Sequence, residues 1–344
     1  MTLPLNPPIE PMLAKLQKDV PVGDEWLYEP KWDGFRALVF RDGSDLQAIS
    51  RDGRGLNRYF PELIELLAGA ITEDCVLDGE VVVTGADGFD FDALLQRIHP
   101  AESRIRLLAS QTPAGFIAFD LLARGADDFT ARPLEERRSA LDEVLAAAVI
   151  TTSPDEVFDT LAGAPNSVVM TPQTDDVEVA RKWLTDYDAQ GLDGVIAKKR
   201  DGTYEPGRRP MMKIKRERTI ECVVGGYRYS KSGDAVGSLL LGLYDDAGNL
   251  HYVGHTSSFK AKERRELLEM LRPLEGGTSF AGGRVPGTPS RWTSGKDTSW
   301  VSLEPSLVCE VAFDRMMSRR FRHATRFVRW RHDKPPRECT FVQD

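Results

Sequence analysis

The chain has 344 residues, of which 41% are hydrophobic and 28% charged, with 45 Lys plus Arg against 53 Asp plus Glu. This composition excludes a disordered or fibrous chain, and the length suits one large domain or two ordinary ones. The net charge of −8 hides a division: residues 219–344 carry 19 basic and 15 acidic side chains, whereas 1–218 carry 26 and 38.

In chain order, runs rich in Val, Ile and Phe predict strands at 26–29, 35–40, 46–50, 75–83, 115–122, 167–171, 194–199 and 211–216. Helical patterns fall at 61–71, 90–98, 133–149 and 176–190, with Pro133 where a helix can begin and Asp175 as the expected cap of the last. The spacing is too irregular for a βαβ repeat. Beyond about residue 218 the texture changes. Strands are expected at 220–229, 236–245, 251–256, 307–314 and 326–331, with one helix at 259–272, which suits a small OB-like barrel. The Gly-, Ser-, Thr- and Pro-rich stretch 274–298 reads as a long surface loop. The fold class expected is therefore α+β, with domains at 1–217 and 218–344.

No apolar run approaches the roughly 20 residues that span a bilayer. The N-terminal MTLPLNPPIEPML carries no secretory signal. Cys75, Cys222, Cys309 and Cys339 form no CxxC pair, so buried reduced thiols are expected rather than a disulfide framework or zinc site. The expectation is a soluble cytoplasmic protein.

Lys31 lies in EPKWDGFRA, flanked by Glu29, Asp33 and Gly34. A free lysine titrates near about 10.4, so a nucleophilic amine needs cationic neighbours or a metal, and glycine permits close backbone approach. Lys213 and Lys215 alternate on a predicted strand and project from one face, where their repulsion calls for an anion between them. Within 315–337 there are nine Arg or Lys and one acid, Asp333, interleaved with Phe321, Phe327 and Trp330. Such a run suits an anion-binding surface. A P-loop is absent, since no GxxxxGK[ST] occurs.

KWDGFR is followed in order by SRDG (50–53), LDGE (77–80), FDLL (119–122), LDGVIAK (192–198), KIK (213–215) and RFVRWRHDKPP (326–336). This ordered set resembles the ATP-dependent DNA ligases of the covalent nucleotidyltransferase superfamily, over about 28–336, and within them the compact bacterial repair or end-joining type. The resemblance implies an adenylylation domain of antiparallel sheets with helices, followed by an OB-fold β-barrel. It implies that Lys31, with Asp33, Lys213 and Lys215, is catalytic, Lys31 attacking the α-phosphate of ATP. Glu29, Arg36, Arg51, Glu80, Phe119 and Lys198 would hold the nucleotide. Arg331, Asp333 and Lys334 would orient the leaving pyrophosphate, which requires the OB domain to swing about a hinge near 215–219. Glu80 and Asp193 would hold Mg²⁺ or Mn²⁺. Arg51 would reach the 5′-phosphate of a nick, and Arg320, Arg322, Arg326 and Arg329 the DNA backbone. The implied partners are nicked duplex DNA and a Ku-type end-binding protein or gap-filling polymerase, with the chain a nucleoid-associated monomer.

Two positions depart from the family pattern. Asp193 stands where Glu is usual, and Met211 where many relatives carry Trp. An RNA ligase or an mRNA capping guanylyltransferase shares the lysine chemistry, but SRDG and the final motif favour a DNA ligase. With 30 residues before Lys31, an NAD-dependent ligase is disfavoured. A non-catalytic OB-fold DNA-binding protein is the rival from another class.

Overall fold

The strand Trp26–Trp32 reads Trp-Leu-Tyr-Glu-Pro-Lys-Trp and is buried at every position but Lys31. Such two-sided burial requires cover on both faces, and the sheets supply it. In the computed structural model, which describes residues 3–145, 149–187, 190–230, 232–287, 299–317 and 319–343, the chain divides into two units, Met1–Arg216 and Glu217–Asp344.

The first unit is built on two sheets. One has four strands in the order Ala14–Gln17, Met211–Ile214, Leu192–Lys199, Trp26–Trp32. The other has eight, with a main path Asp45–Ser50, Phe35–Asp42, Cys75–Gly85, Ala114–Arg124, Val168–Met170, Val149–Ile150. The chain passes from the first sheet to the second through Asp33 and Gly34. A Cβ at Gly34 would lie 2.3 Å from the carbonyl oxygen of Val81, so only glycine allows the two strands to meet at this corner. Apolar clusters join the sheets. One packs Trp32, Val195 and Ile214 against Val82, Ile117 and Val169; another packs Met211 against Leu38, Phe40 and Tyr204. Ladders are mainly antiparallel, with parallel pairs where Val168–Met170 lies beside Ala114–Arg124 and Val149–Ile150, and where Ala14–Gln17 lies beside Met211–Ile214.

The helices differ from expectation in extent. They run Pro61–Ala70, Phe91–Gln96, Leu134–Val144 and Val177–Asp186. The third stops at Val144 because Val149–Ile150 is drawn into the sheet. The cap of the fourth is Asp176, which accepts from the Glu178 N–H, while Asp175 pairs with Arg200 at 3.3 Å. Helices Glu102–Gln111 and Pro154–Gly163 and strand Ala14–Gln17 were not anticipated. Residues 146–148 and 188–189, inside the expected helices 133–149 and 176–190, lie outside the described residues.

The second unit places its strands in the order Leu250–Thr256, Val236–Tyr244, Arg218–Tyr229, Val308–Phe313, Arg326–Trp330. This is OB connectivity, with helix Ala261–Leu271 between the third and fourth strands in sequence. The barrel is not closed by a ladder: among the described residues a single parallel bridge, Thr256 to Thr325, links the edge strands. The expected surface loop is corrected over its first half. Ser279 and Phe280 are buried, the Phe280 ring packing edge-on to Tyr252 and Trp300. Its remainder, 288–298, lies outside the described residues. All four cysteines are free and buried, and no described helix is long and apolar enough to cross a membrane.

Candidate active site

Three long strands are buried along their interiors except at one position each: Lys31 on Trp26–Trp32, Glu80 on Cys75–Gly85 and Phe119 on Ala114–Arg124. Each is a motif residue, and each is half-buried. Where strand Leu192–Lys199 pairs with Trp26–Trp32, Leu192 opposes Trp32 and Gly194 opposes Lys31, so Asp193 is the extra residue of a β-bulge. The bulge aims its side chain at the lysines. Gly194 has φ +142°, and a Cβ there would lie 2.0 Å from the Ile214 carbonyl oxygen, which restricts the position to glycine.

Asp193 Oδ2 pairs with Lys31 Nζ and accepts from Lys215 Nζ at 2.9 Å. Burial opposes ionisation of this carboxyl, but Lys31 and Lys215 outweigh it and hold it below the usual carboxylate range. Lys213 lies on the adjoining strand Met211–Ile214. Burial lowers the pKa of its ammonium, and the charges of Lys31 and Lys215 lower it further. Two amines thus converge on one carboxylate with the charge of a third felt beside them, an excess of positive charge that suits a polyanion.

Glu29, two residues before Lys31, is 3% exposed and pairs with Lys198, itself 4% exposed, at 2.7 Å. Its other oxygen accepts from Gln173 Nε2 at 3.0 Å. Phe119 is also a bulged residue: Asp78 opposes Asp120 and Gly79 opposes Ala118 across the ladder. Lys198 Nζ lies 5.0 Å and Arg36 Cζ 5.4 Å from the Phe119 ring centre, both within cation–π range. Arg36 is held by Asp78, with Nε 2.9 Å from Oδ1, and the Tyr204 hydroxyl donates to Asp78 Oδ2 at 2.7 Å. Glu80 Oε1 accepts from the Gly34 N–H at 3.1 Å, which ties the ladder to the corner. Burial pushes the Glu80 carboxyl up to about 7, against the pull of Lys31 and Arg36 and with the help of Asp33 and Asp78.

Lys31, Asp33, Arg36, Glu29, Glu80, Phe119, Asp193, Lys198, Lys213 and Lys215 therefore belong to one region of the first unit. Arg51 does not join them; it is exposed in the turn after Asp45–Ser50, beside Asp52 at 3.3 Å. In the second unit the basic run is partly neutralised. Arg326 pairs with Glu217, Arg329 with Glu310 at 2.6 Å, and Lys334 with Glu338 at 3.3 Å. Arg331 pairs with Glu221 and, at 2.8 Å, with Asp333. Arg320 is exposed, its guanidinium 5.4 Å from the Tyr252 ring centre, and Arg322 is half-buried. Three site residues escaped the sequence reading: Asp78, Tyr204 and Gln173. The first sits inside LDGE and was legible there.

The family model for the ATP-dependent DNA ligase domain matches residues 11–215, and that for the ATP-dependent DNA ligase C-terminal region matches 232–334. The chain belongs to the ATP-dependent DNA ligases. It is 49% identical to DNA ligase C of Mycobacterium tuberculosis and 49% identical to DNA ligase C1 of Mycolicibacterium smegmatis, covering 100% of this chain and 95% of each relative. Similarity to the multifunctional non-homologous end joining DNA repair protein LigD of M. tuberculosis is 33% over 84% of this chain and 34% of that protein. A solved Lig E DNA ligase shares the fold, with TM-score 0.53 at 18% identity over 94% of this chain and 99% of that one. The enzyme is thus an ATP-consuming ligase that seals 5′-phosphate/3′-hydroxyl nicks in duplex DNA during repair.

Proposed function

We propose that the corner between the two sheets is the adenylylation site of this ligase and that Lys31 is its nucleophile. The observation that supports this most is the convergence of Lys31 and Lys215 on the bulged Asp193 carboxylate, with Lys213 beside them. Lys31 Nζ forms a bond to the α-phosphorus of ATP as the bond to pyrophosphate breaks, leaving AMP on the lysine as a phosphoramidate. An ammonium has no lone pair, so Lys31 first gives up one proton to solvent by way of Asp193, and the nitrogen loses a second as the phosphoramidate forms. Lys215 stays on that carboxylate and keeps its charge compensated. Phosphoryl transfer asks chiefly for position and charge neutralisation, which Lys213 and Lys215 provide along the triphosphate.

Glu29 meets the adenine amino edge, Phe119 stacks on the purine, and Lys198 anchors the first while lying over the second. Glu80 takes a ribose hydroxyl. Arg36, held by Asp78, contacts sugar or phosphate, and Asp33 shapes the field around Glu80. Arg331, Asp333 and Lys334 orient the pyrophosphate.

A divalent cation, Mg²⁺ or Mn²⁺, fits a single carboxylate here better than a protein cage. Among the described residues no three His, Cys, Asp or Glu side chains come together to hold an ion. Asp193 is engaged by two lysines, which leaves Glu80 as the better of the two candidate ligands, with ATP phosphates and water completing the shell. Bound there, the ion would neutralise charge developing on the triphosphate.

AMP then passes to the 5′-phosphate of a nick, and the 3′-hydroxyl displaces it. We assign Arg51 to that 5′-phosphate and Arg320, Arg322, Arg326 and Arg329 to backbone phosphates. The similarity to a relative named for non-homologous end joining supports a role in joining DNA ends; beside a Ku-type end-binding protein or a gap-filling polymerase, as a cytoplasmic, nucleoid-associated monomer, is where we place the ligase. The test loads the ligase with labelled AMP and adds a duplex nicked beside a 5′-phosphate and a dideoxy 3′ end. Label should move to the DNA 5′ end and stop there. Label that stays on the protein with DNA but moves to a nicked RNA would replace this reading with an RNA ligase.

Glu80 also makes the first step pH-dependent. Its folded pKa of about 7 exceeds the unfolded value of about 4.3, so the folded chain holds the proton to higher pH. Its contribution to stability is therefore complete below about pH 4 and lost as pH rises through 7. Activity runs the other way, because the ionised carboxylate is the stronger acceptor for a hydroxyl and the better ligand for a cation. Single-turnover adenylylation should rise through an inflection near neutrality that Glu80→Gln removes. The same inflection in the variant would assign it to another group.

A further inference from the structure

The segment 171–174 leaves strand Val168–Met170 of the eight-stranded sheet and reaches the strand that carries Lys31. Tyr28 N–H donates to the Thr174 carbonyl at 2.8 Å and Thr174 N–H to the Tyr28 carbonyl at 3.0 Å. Trp32 Nε1 donates to Thr171 Oγ1 at 2.9 Å. Both ends of the segment are thus tied to Trp26–Trp32, and Gln173 between them is set against Glu29, with Nε2 3.0 Å from Oε1. The second Glu29 oxygen belongs to Lys198 at 2.7 Å. A carboxylate only accepts, so the Gln173 amide has one usable orientation, nitrogen toward Glu29.

We propose that Gln173 is a positioning residue for Glu29 and thereby sets which nucleobase the site accepts: a purine with an exocyclic amino group, in preference to one with a carbonyl at that position. This rests on the reading of Glu29 as the contact to the base. With Lys198 alone, the carboxylate pivots about Oε2; the bond from Gln173 fixes its plane. Paired with Lys198 and fixed by the Gln173 amide, it offers lone pairs only. An amino group donates to them, whereas a carbonyl oxygen meets negative charge and finds no donor. A buried site built around one hydrogen bond discriminates strongly against the analogue that lacks its partner. Glutamate in place of Gln173 would set two carboxylates together, one of which retains a proton. That proton supplies the donor a carbonyl needs.

Self-adenylylation of the full chain is measured as kcat/KM with ATP and with inosine triphosphate, whose base carries the carbonyl, alongside melting curves. The proteins compared are the wild type, Gln173→Met, Gln173→Glu and Glu29→Gln. The ATP-to-ITP ratio should fall about ten-fold in Gln173→Met, which keeps side-chain length without the donor. It should fall further in Gln173→Glu and recover there as rising pH removes the shared proton. A merely structural role would slow both nucleotides together and leave the ratio fixed. An unchanged ratio in both Gln173 variants, while Glu29→Gln collapses it, would overturn the inference and leave the Glu29 reading intact. If Glu29→Gln also leaves the ratio unchanged, the reading beneath the inference falls with it.

Discussion

Lys31→Ala is expected to carry no label after incubation with α-labelled ATP and divalent metal, a loss of at least about four orders of magnitude in adenylylation. The nitrogen removed is the atom that would be bonded to AMP, so no residual route passes through it. The neighbouring amines do not substitute. Lys215 is bound to Asp193 at 2.9 Å, and Lys213 lies on another strand, placed for phosphate charge rather than for attack. The fold should be little affected, because Lys31 is half-buried and Asp193 keeps Lys215 as its partner. Sealing of a nick whose 5′ end already carries AMP should persist, since that step needs no lysine nucleophile. Wild-type protein isolated already adenylylated is cleared with pyrophosphate before labelling. Equal labelling of the variant and the wild type would move the nucleophile elsewhere.

What the sequence made legible and what it concealed follow from how local each cause is. Lys31, Glu80 and the KIK lysines stand in short motifs whose spacing survives translation into strands, so reading along the chain finds them. Asp193 and Phe119 were legible as motif members, but the reason their side chains face this region was not. Each is the extra residue of a β-bulge. A bulge exists only in the register between two strands, and neither partner sequence encodes it alone. Gln173 left no local trace: its importance arises because segment 171–174 spans two sheets. Helix Pro154–Gly163, by contrast, carries a local signal in its first turn. Ser153 caps it by accepting from the Glu156 N–H, and Pro154 occupies its first turn. In 274–287 the composition spoke for a surface loop, and one aromatic among glycines was enough to bury part of it, because Phe280 packs against Tyr252 and Trp300.

Asp120→Ala should destabilise the first unit by about 3–5 kcal/mol, a large fraction of the roughly 5–15 kcal/mol that holds a domain folded. Asp120 follows Phe119 and is 1% exposed, as is Arg137 on helix Leu134–Val144. The pair is bidentate, Nε to Oδ1 at 2.7 Å and the second contact at 3.0 Å. Arg137 also donates to the carbonyls of Arg132 and Gly202, at 2.7 and 2.8 Å, and Asp120 accepts from the Leu121 N–H at 3.0 Å. One guanidinium therefore clamps strand, helix and turn behind the bulge that presents Phe119. Truncating the carboxylate leaves a buried cation without its counter-charge, which is costlier than losing the pair as a whole. Urea unfolding should accordingly show Asp120→Ala well below wild type. The double variant Asp120→Val with Arg137→Leu, which removes both charges, should recover a substantial part of the loss. Because the same strand holds Phe119, the single variant should also raise KM for ATP at temperatures where it remains folded. A loss below about 1 kcal/mol would place the pair among solvated ion pairs and leave Phe119 positioned by the ladder alone.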